Sequence, residues 1–186
     1  MEAKKVGVGQ YVQVIKNLKY LIKTFRTFGS PTFFLTLNPA EKDWEELEEA
    51  YRKVHNIPPE EKIYMHEMIQ KDPGVFSEHF NLRCLEMFKH LQKKKGPLKG
   101  KLKHYWYRIE YQERGAPHIH ALLWIDGAPV IGKNSPEEIL QFISNLITCR
   151  LPDKDKEPLL HKLVTKYQIH RCTGNFYKQS VLINIF

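Results

Sequence analysis

The sequence contains no apolar run close to the roughly 18–20 residues that a membrane-crossing helix needs. Its first ten residues show neither the apolar segment nor the cleavage site of a secretory leader, so we expect an intracellular protein, nuclear if the source is a eukaryote. Cysteine is scarce: Cys84, Cys149 and Cys172 are odd in number and widely spaced. This pattern excludes a disulfide scaffold and indicates reduced thiols.

The composition that remains is that of an ordinary globular domain with a basic surplus. Hydrophobic residues make up 42% and charged residues 27% of 186 residues, enough for one domain with a real core. The formal net charge is +8, which favours partners that carry phosphate.

Apolar periodicity and turn signals predict an α+β domain in which helices pack on one central antiparallel sheet. Helices are predicted over residues 11–28, 40–55, 77–92, 135–148 and 156–168, and strands over residues 32–37, 102–112 and 117–125. The prolines and glycine of residues 56–75 predict irregular structure there. We expect the first strand beside the last one, and the helices 11–28 and 135–148 to cover the two faces of the sheet.

The most informative segment is a pair of histidines on a predicted strand. Side chains alternate along a strand, so His118 and His120 project from one face while Ile119 projects from the other. Glu110 and Gln112 share a parity on the preceding strand and can lie across the hairpin from the histidines. Two imidazoles and one oxygen ligand leave coordination positions open, as a cation that also contacts a phosphodiester requires.

We predict that His118, His120 and either Glu110 or Gln112 hold one divalent cation, Mn²⁺ or Mg²⁺. Glu110 is favoured over Gln112, because a carboxylate offsets the charge of the cation whereas an amide supplies only a dipole. An isolated His-x-His pair is more often an incidental feature of a partly exposed strand. Two observations outweigh that interpretation here: apolar residues flank the pair, and an oxygen ligand is available on the neighbouring strand.

The segment from Glu110 to His120 reads Glu-Tyr-Gln-Glu-Arg-Gly-Ala-Pro-His-Ile-His. It resembles the histidine motif of the Rep domain of Helitron transposases, which are HUH endonucleases of the rolling-circle replication initiator superfamily. Upstream, Gly29-Ser-Pro-Thr-Phe-Phe-Leu-Thr-Leu-Asn-Pro39 is similar to the first motif of that family. Downstream, residues 163–172 resemble the stretch after the domain's later helix, so the resemblance covers residues 12–173.

The resemblance implies an HUH endonuclease-like fold, with residues 1–11 as a tail and residues 174–186 as a truncated end. It also implies that an active-site tyrosine attacks single-stranded DNA, forms a phosphotyrosine bond and frees a 3′-hydroxyl, while a metal polarises the phosphate. In the family the tyrosines lie on a helix well downstream of the histidines. Tyr167 and Tyr177 are the late tyrosines here, both weak candidates, and we expect the chain to lack its nucleophile.

Basic residues near the hairpin are the predicted contacts to the DNA backbone. They are Lys93, Lys94, Lys95, Lys99, Lys101, Lys103 and Arg114. The aromatic side chains of His104, Trp106 and Tyr111 could stack on unpaired bases.

Three functions follow from these patterns. The first is a Helitron-type Rep endonuclease domain that binds single-stranded DNA and, in the intact family, nicks and joins it through a phosphotyrosine intermediate. The second is a binding module without catalysis, and the third is a metal-dependent phosphodiesterase that activates water. The family also carries a helicase, but no Gly-x-x-x-x-Gly-Lys-Ser/Thr phosphate loop is present here, so we expect no helicase in this chain.

Overall fold

A computed structural model describes residues 8–111 and 117–169 of the chain, and the fold below is that of these residues. Among them are six helices, one short 3₁₀ turn and three strands. In chain order the elements are α1 Val8–Phe28, β1 Phe33–Leu37, the 3₁₀ turn Glu41–Asp43, α2 Glu45–His55, α3 Met65–Lys71, α4 Pro73–Gln92, β2 Leu102–Tyr111, β3 Pro117–Ile125, α5 Pro136–Ser144 and α6 Pro158–Tyr167. The predicted α+β class is confirmed. None of the described helices is both long enough and apolar enough to cross a membrane.

The three strands form one antiparallel sheet in the order β1-β3-β2. The histidine strand β3 is therefore central and lies beside β1, as predicted. Its register places His120 opposite Thr36 on one side and opposite Arg108 on the other. The predicted hairpin turn at residues 113–116 lies outside the described residues.

The main core lies on the face of the sheet from which the histidines do not project. Ile119 and Ala121 are fully buried there, and they pack with Phe80, Cys84 and Phe88 of α4. These three α4 residues recur every four positions, so they form one apolar stripe along the helix. We expected the helices 11–28 and 135–148 to cover the faces, but α4 supplies the buried helical side chains of this core.

The first and fifth helices contribute less to the sheet than predicted. From α5, Phe142 stacks on Phe33 of β1 with ring centroids 6.4 Å apart. From α1, Phe25 and Phe28 contact Trp124, with centroids 5.7 and 6.4 Å away. Helix α1 therefore reaches only one end of the histidine-bearing face, and the other end keeps its access to solvent.

A second core joins α2, α3 and α4 and corrects the prediction for residues 56–75. Met68 and Ile69 of α3 are buried against Leu47 and Tyr51 of α2. Pro58 and Pro59 follow the end of α2, as expected. The segment nevertheless forms helix α3, because its apolar pair Met68 and Ile69 can be buried. The Tyr51 hydroxyl donates to the carbonyl of Asp72 at 2.8 Å, and burial raises the pKa of this phenol to about 12.

Helix ends follow capping chemistry. Helix α4 begins four residues before the predicted start, because the Asp72 side chain accepts a hydrogen bond from the Gly74 amide and Pro73 occupies the first turn. The predicted capping box at Ser135 and Glu138 is present. Helix α5 ends at Ser144, four residues earlier than predicted.

The two described cysteines differ sharply in exposure, and we expect them to differ in reactivity. Cys84 is buried and Cys149 is exposed; burial raises the pKa of the Cys84 thiol to about 12. The reactive thiolate of Cys84 is therefore scarce at pH 8, and reagent cannot reach it. In a Cys172→Ser background, we expect one thiol to react quickly with a disulfide reagent and the second only after unfolding. Two fast thiols would contradict this packing of α4.

Candidate metal centre on the histidine face

The face of the sheet opposite the main core, called the histidine face, carries alternate side chains from all three strands. Its members are Phe34, Thr36, Trp106, Arg108, Glu110, His118, His120 and Leu122. They form rows that run across the strands, because register partners on neighbouring antiparallel strands project from the same face. The last row consists of Glu110 and His118, and the next contains Thr36, His120 and Arg108.

Glu110, His118 and His120, called the triad, bring three ligand atoms together. The Nε2 atoms of the two histidines are 3.1 Å apart. The Oε2 atom of Glu110 lies 3.6 Å from each of them. Among the described residues, this is the group of three ligating side chains whose geometry could hold a metal ion. The structure therefore brings together both predicted histidines and the favoured carboxylate.

The spacing of the triad atoms fits a small divalent cation. Adjacent ligands around a six-coordinate cation with bonds of about 2.1 Å lie about 3 Å apart, close to the distances seen here. The donor set of two imidazole nitrogens and one carboxylate oxygen suits Mn²⁺ or Zn²⁺, and Mg²⁺ less well because Mg²⁺ prefers oxygen. The identity of the metal stays a prediction.

Burial and neighbours hold the two imidazoles in different ways. The His118 side chain is 14% exposed, and its Nδ1 atom is buried without a hydrogen-bond partner among the described residues. The His120 side chain is 31% exposed. Its Nδ1 atom lies 3.1 Å from the Thr36 hydroxyl, and its ring stacks on Phe34 at 5.2 Å. The contact with Thr36 therefore orients the His120 ring so that its Nε2 atom faces His118 and Glu110.

Loss of the Thr36 hydroxyl is expected to weaken metal binding without removing a ligand. An outer partner that orients a ligating histidine contributes about 10- to 100-fold in metal affinity. We therefore expect Thr36→Val to bind Mn²⁺ about 10-fold or more weakly than wild type, and Thr36→Ser to retain most of the affinity. Calorimetric titration of Mn²⁺ into the three proteins measures this. Equal Mn²⁺ affinities of Thr36→Val and wild type would show that Thr36 does not orient His120.

The three aromatic side chains predicted to stack on bases fall in different places. Trp106 lies on the histidine face and is partly buried. His104 is packed under α1, where its ring stacks on Phe28 at 4.9 Å and burial lowers the pKa of the imidazole. Tyr111 is 57% exposed, but its parity is opposite to that of Glu110, so it projects from the other face.

The lysines predicted to contact DNA lie at the far end of the sheet from the triad. The loop of residues 93–101 leads into Leu102, which pairs with Ile125, whereas Glu110 pairs with His118. Eight residues of strand separate these two pairs, which is about 26 Å. Lys103 lies beside α1, with Nζ 5.6 Å from the centre of the Phe28 ring. A DNA strand that contacts both regions must run the length of the sheet.

Several predicted site residues lie outside the described residues. They are Gln112, Arg114 and Tyr177. The sequence interpretation also missed side chains that the strand parity could have revealed. Phe34 and Thr36 alternate with core residues on β1, but the register between β1 and β3 was needed to place them beside the histidines. Arg108 alternates with core residues on β2, and the hairpin register places it opposite His120.

Tyr167, the other candidate nucleophile, lies on the opposite side of the sheet from the triad. It lines a cavity of about 510 Å³ together with core-facing residues such as Leu37, Phe80 and Cys84. Beside it, Lys166 donates to Asp43 at 2.6 Å, and this hydrogen bond lowers the pKa of the Asp43 carboxyl. The structure does not bring Tyr167 to the histidines.

Comparison with known families gives a match that contains β1, β2 and most of β3. A family model described as the Helitron helicase-like domain at the N-terminus matches residues 13–123, more than half of the chain. The match includes all three triad residues. Comparisons with curated proteins and with solved structures find no match.

Proposed function

The chain belongs to the Helitron helicase-like N-terminal domain family, and from this premise we propose that it binds single-stranded DNA at a divalent metal held by the triad. The observation that carries the proposal is the convergence of His118, His120 and Glu110 on one partly exposed face. We further propose that the domain is of the Rep type found in HUH endonucleases.

A phosphodiester is the ligand that this face suits best. Three protein ligands leave coordination positions for phosphate oxygens, and a bound divalent cation would polarise those oxygens. Arg108 lies in the row of His120 with its side chain 69% exposed, and its guanidinium can contact a second phosphate oxygen. The net charge of +8 adds long-range attraction for a polyanion.

The positions of the tyrosines in β2 and α6 favour binding and positioning of DNA over covalent chemistry. Tyr105, Tyr107 and Tyr111 share the parity of core residues on β2, and Tyr167 lies on the core side of the sheet. A phosphotyrosine reaction needs a phenol oxygen in line with the scissile phosphate. We therefore propose that this 186-residue chain holds and orients DNA but does not cleave it alone.

Binding without cleavage is the expected result with labelled single-stranded DNA and Mn²⁺. Affinity should fall steeply as salt rises, because lysine and arginine contacts release counterions from the strand. Filter binding measures the affinity, with a duplex of the same sequence as the weaker competitor. A denaturing gel of the same mixtures detects cleavage and covalent adducts.

The outcomes separate the three functions. A covalent adduct that disappears in Tyr177→Phe or Tyr167→Phe would identify a tyrosine nucleophile and contradict binding alone. Cleavage without an adduct would favour a phosphodiesterase that activates water. Absence of single-strand binding, with and without Mn²⁺, would overturn the proposed function.

A further inference from the structure

An apolar row crosses the histidine face next to the row that contains His120. Phe34 of β1, Leu122 of β3 and Trp106 of β2 are direct register partners. The three side chains, called the apolar row, therefore project together from the sheet. On its far side, Trp124 is covered by Phe25 of α1. The apolar row thus lies between a covered part of the face and the triad.

Phe34 is unusually exposed for a phenylalanine in a strand. It is 64% exposed, whereas its neighbours Phe33 and Leu35 face the core. One flat side of the ring is used by the His120 imidazole, at an interplanar angle of 25°. An exposed aromatic ring contributes little to folding, and on an edge strand it favours aggregation. Its place beside a metal ligand points to a ligand that contacts it.

We propose that Phe34, supported by Leu122 and Trp106, stacks on the base of the nucleotide whose phosphate is held at the triad. This inference rests on the proposed function and adds to it a residue that positions the bound DNA strand. Aromatic rings that stack on unpaired bases are a common feature of single-strand binding, and they tolerate any base because each has a π-face.

The surroundings of Phe34 favour a nucleotide over another apolar partner. The next row places the exposed guanidinium of Arg108 on the same face, and the triad beyond it would carry a cation. The base of a nucleotide would contact the aromatic and apolar side chains of the apolar row. Its phosphate would contact the cationic groups of the next row. A protein segment would need an acidic group beside an apolar one to match the same surface.

The test combines variants of Phe34 with single abasic sites in the oligonucleotide. We expect Phe34→Ala to bind single-stranded DNA about 10-fold more weakly than wild type, and Phe34→Trp to bind at least as well as wild type. Phe34→Leu should resemble alanine, because it keeps apolar volume but loses the ring. Tyr64→Ala is the matched control, since Tyr64 is 47% exposed in the loop before α3.

Abasic sites test the same contact without changing the protein. With wild type and an oligonucleotide no longer than the binding site, so that the strand cannot shift its register, one position should lose about 10-fold in affinity when its base is removed. With Phe34→Ala, that position should cost nothing further, because the two changes remove the same stack. Phe34 also stacks on His120, so the Mn²⁺ affinity of each variant is measured in parallel and the DNA titrations are made at Mn²⁺ concentrations that saturate it.

The alternative outcomes are distinct. If wild type binds single strands but Phe34→Ala and Phe34→Leu bind equally well, the stacking role is wrong and the proposed function stands. If an abasic penalty persists unchanged in Phe34→Ala, the base stacks elsewhere and the inference fails. If Phe34→Ala instead converts a dimer into a monomer in light scattering, the apolar row is covered by a second copy, which also overturns it.

Discussion

Simultaneous replacement of His118 and His120 by alanine is expected to lower Mn²⁺ affinity by more than about 100-fold. Loss of an outer partner alone costs about 10- to 100-fold, and this variant loses two of the three protein ligands. The remaining Glu110 carboxylate is 42% exposed and would bind the cation only as a surface acid does. Calorimetric titration at constant pH measures the affinity directly.

The matched control for this variant is His66→Ala. The His66 side chain is 70% exposed and lies in α3, outside the histidine face, so its loss should leave Mn²⁺ binding unchanged. Glu110→Gln tests the choice of carboxylate, because it keeps the shape of the side chain and removes the charge. Equal affinity in the double alanine variant and in wild type would show that the triad binds no metal.

The largest expected effect on stability is that of Phe88→Ala. Phe88 is fully buried, and its ring stacks on Tyr105 at 4.3 Å and on Tyr107 at 5.1 Å. Truncation of a buried phenylalanine lowers the free energy of unfolding by about 3–5 kcal/mol. That is a large share of the roughly 5–15 kcal/mol that stabilises a typical domain. Urea denaturation followed by circular dichroism gives the difference between variant and wild type.

Leu82→Ala in the same helix provides the comparison. Leu82 is 55% exposed, and its truncation should change the free energy of unfolding by no more than about 0.5 kcal/mol. Similar losses in the two variants would mean that α4 does not pack on the sheet through Phe88. The sheet would then lack the helix that supports the strands carrying the triad.

The strands were predictable because their patterns are local. β-branched and aromatic runs bounded by turn residues predicted β1, β2 and β3 to within one residue at each described end. The helices with strong apolar periodicity were also predicted, and the Ser135 capping box was identified correctly. Helix α3 was missed because its short apolar pair becomes helical only when it can be buried against α2.

The candidate metal site was largely a consequence of strand alternation. A period of two places His118 and His120 on one face whatever the rest of the fold does. A short hairpin then brings Glu110 opposite His118, as the register confirms. The partners from β1 could not be predicted in this way, because Thr36 lies 84 residues before His120 and their contact depends on non-local pairing.

By itself, therefore, the sequence determined the α+β class, the strands and the two histidines with their carboxylate, since all of these depend on spacing along the chain. Tertiary structure alone decided which helix covers the core and that Tyr167 lies across the sheet from the triad. It also placed Phe34 and Thr36 around His120. The physical reason is that packing between distant segments is selected by the total apolar area they bury together, which no local pattern contains.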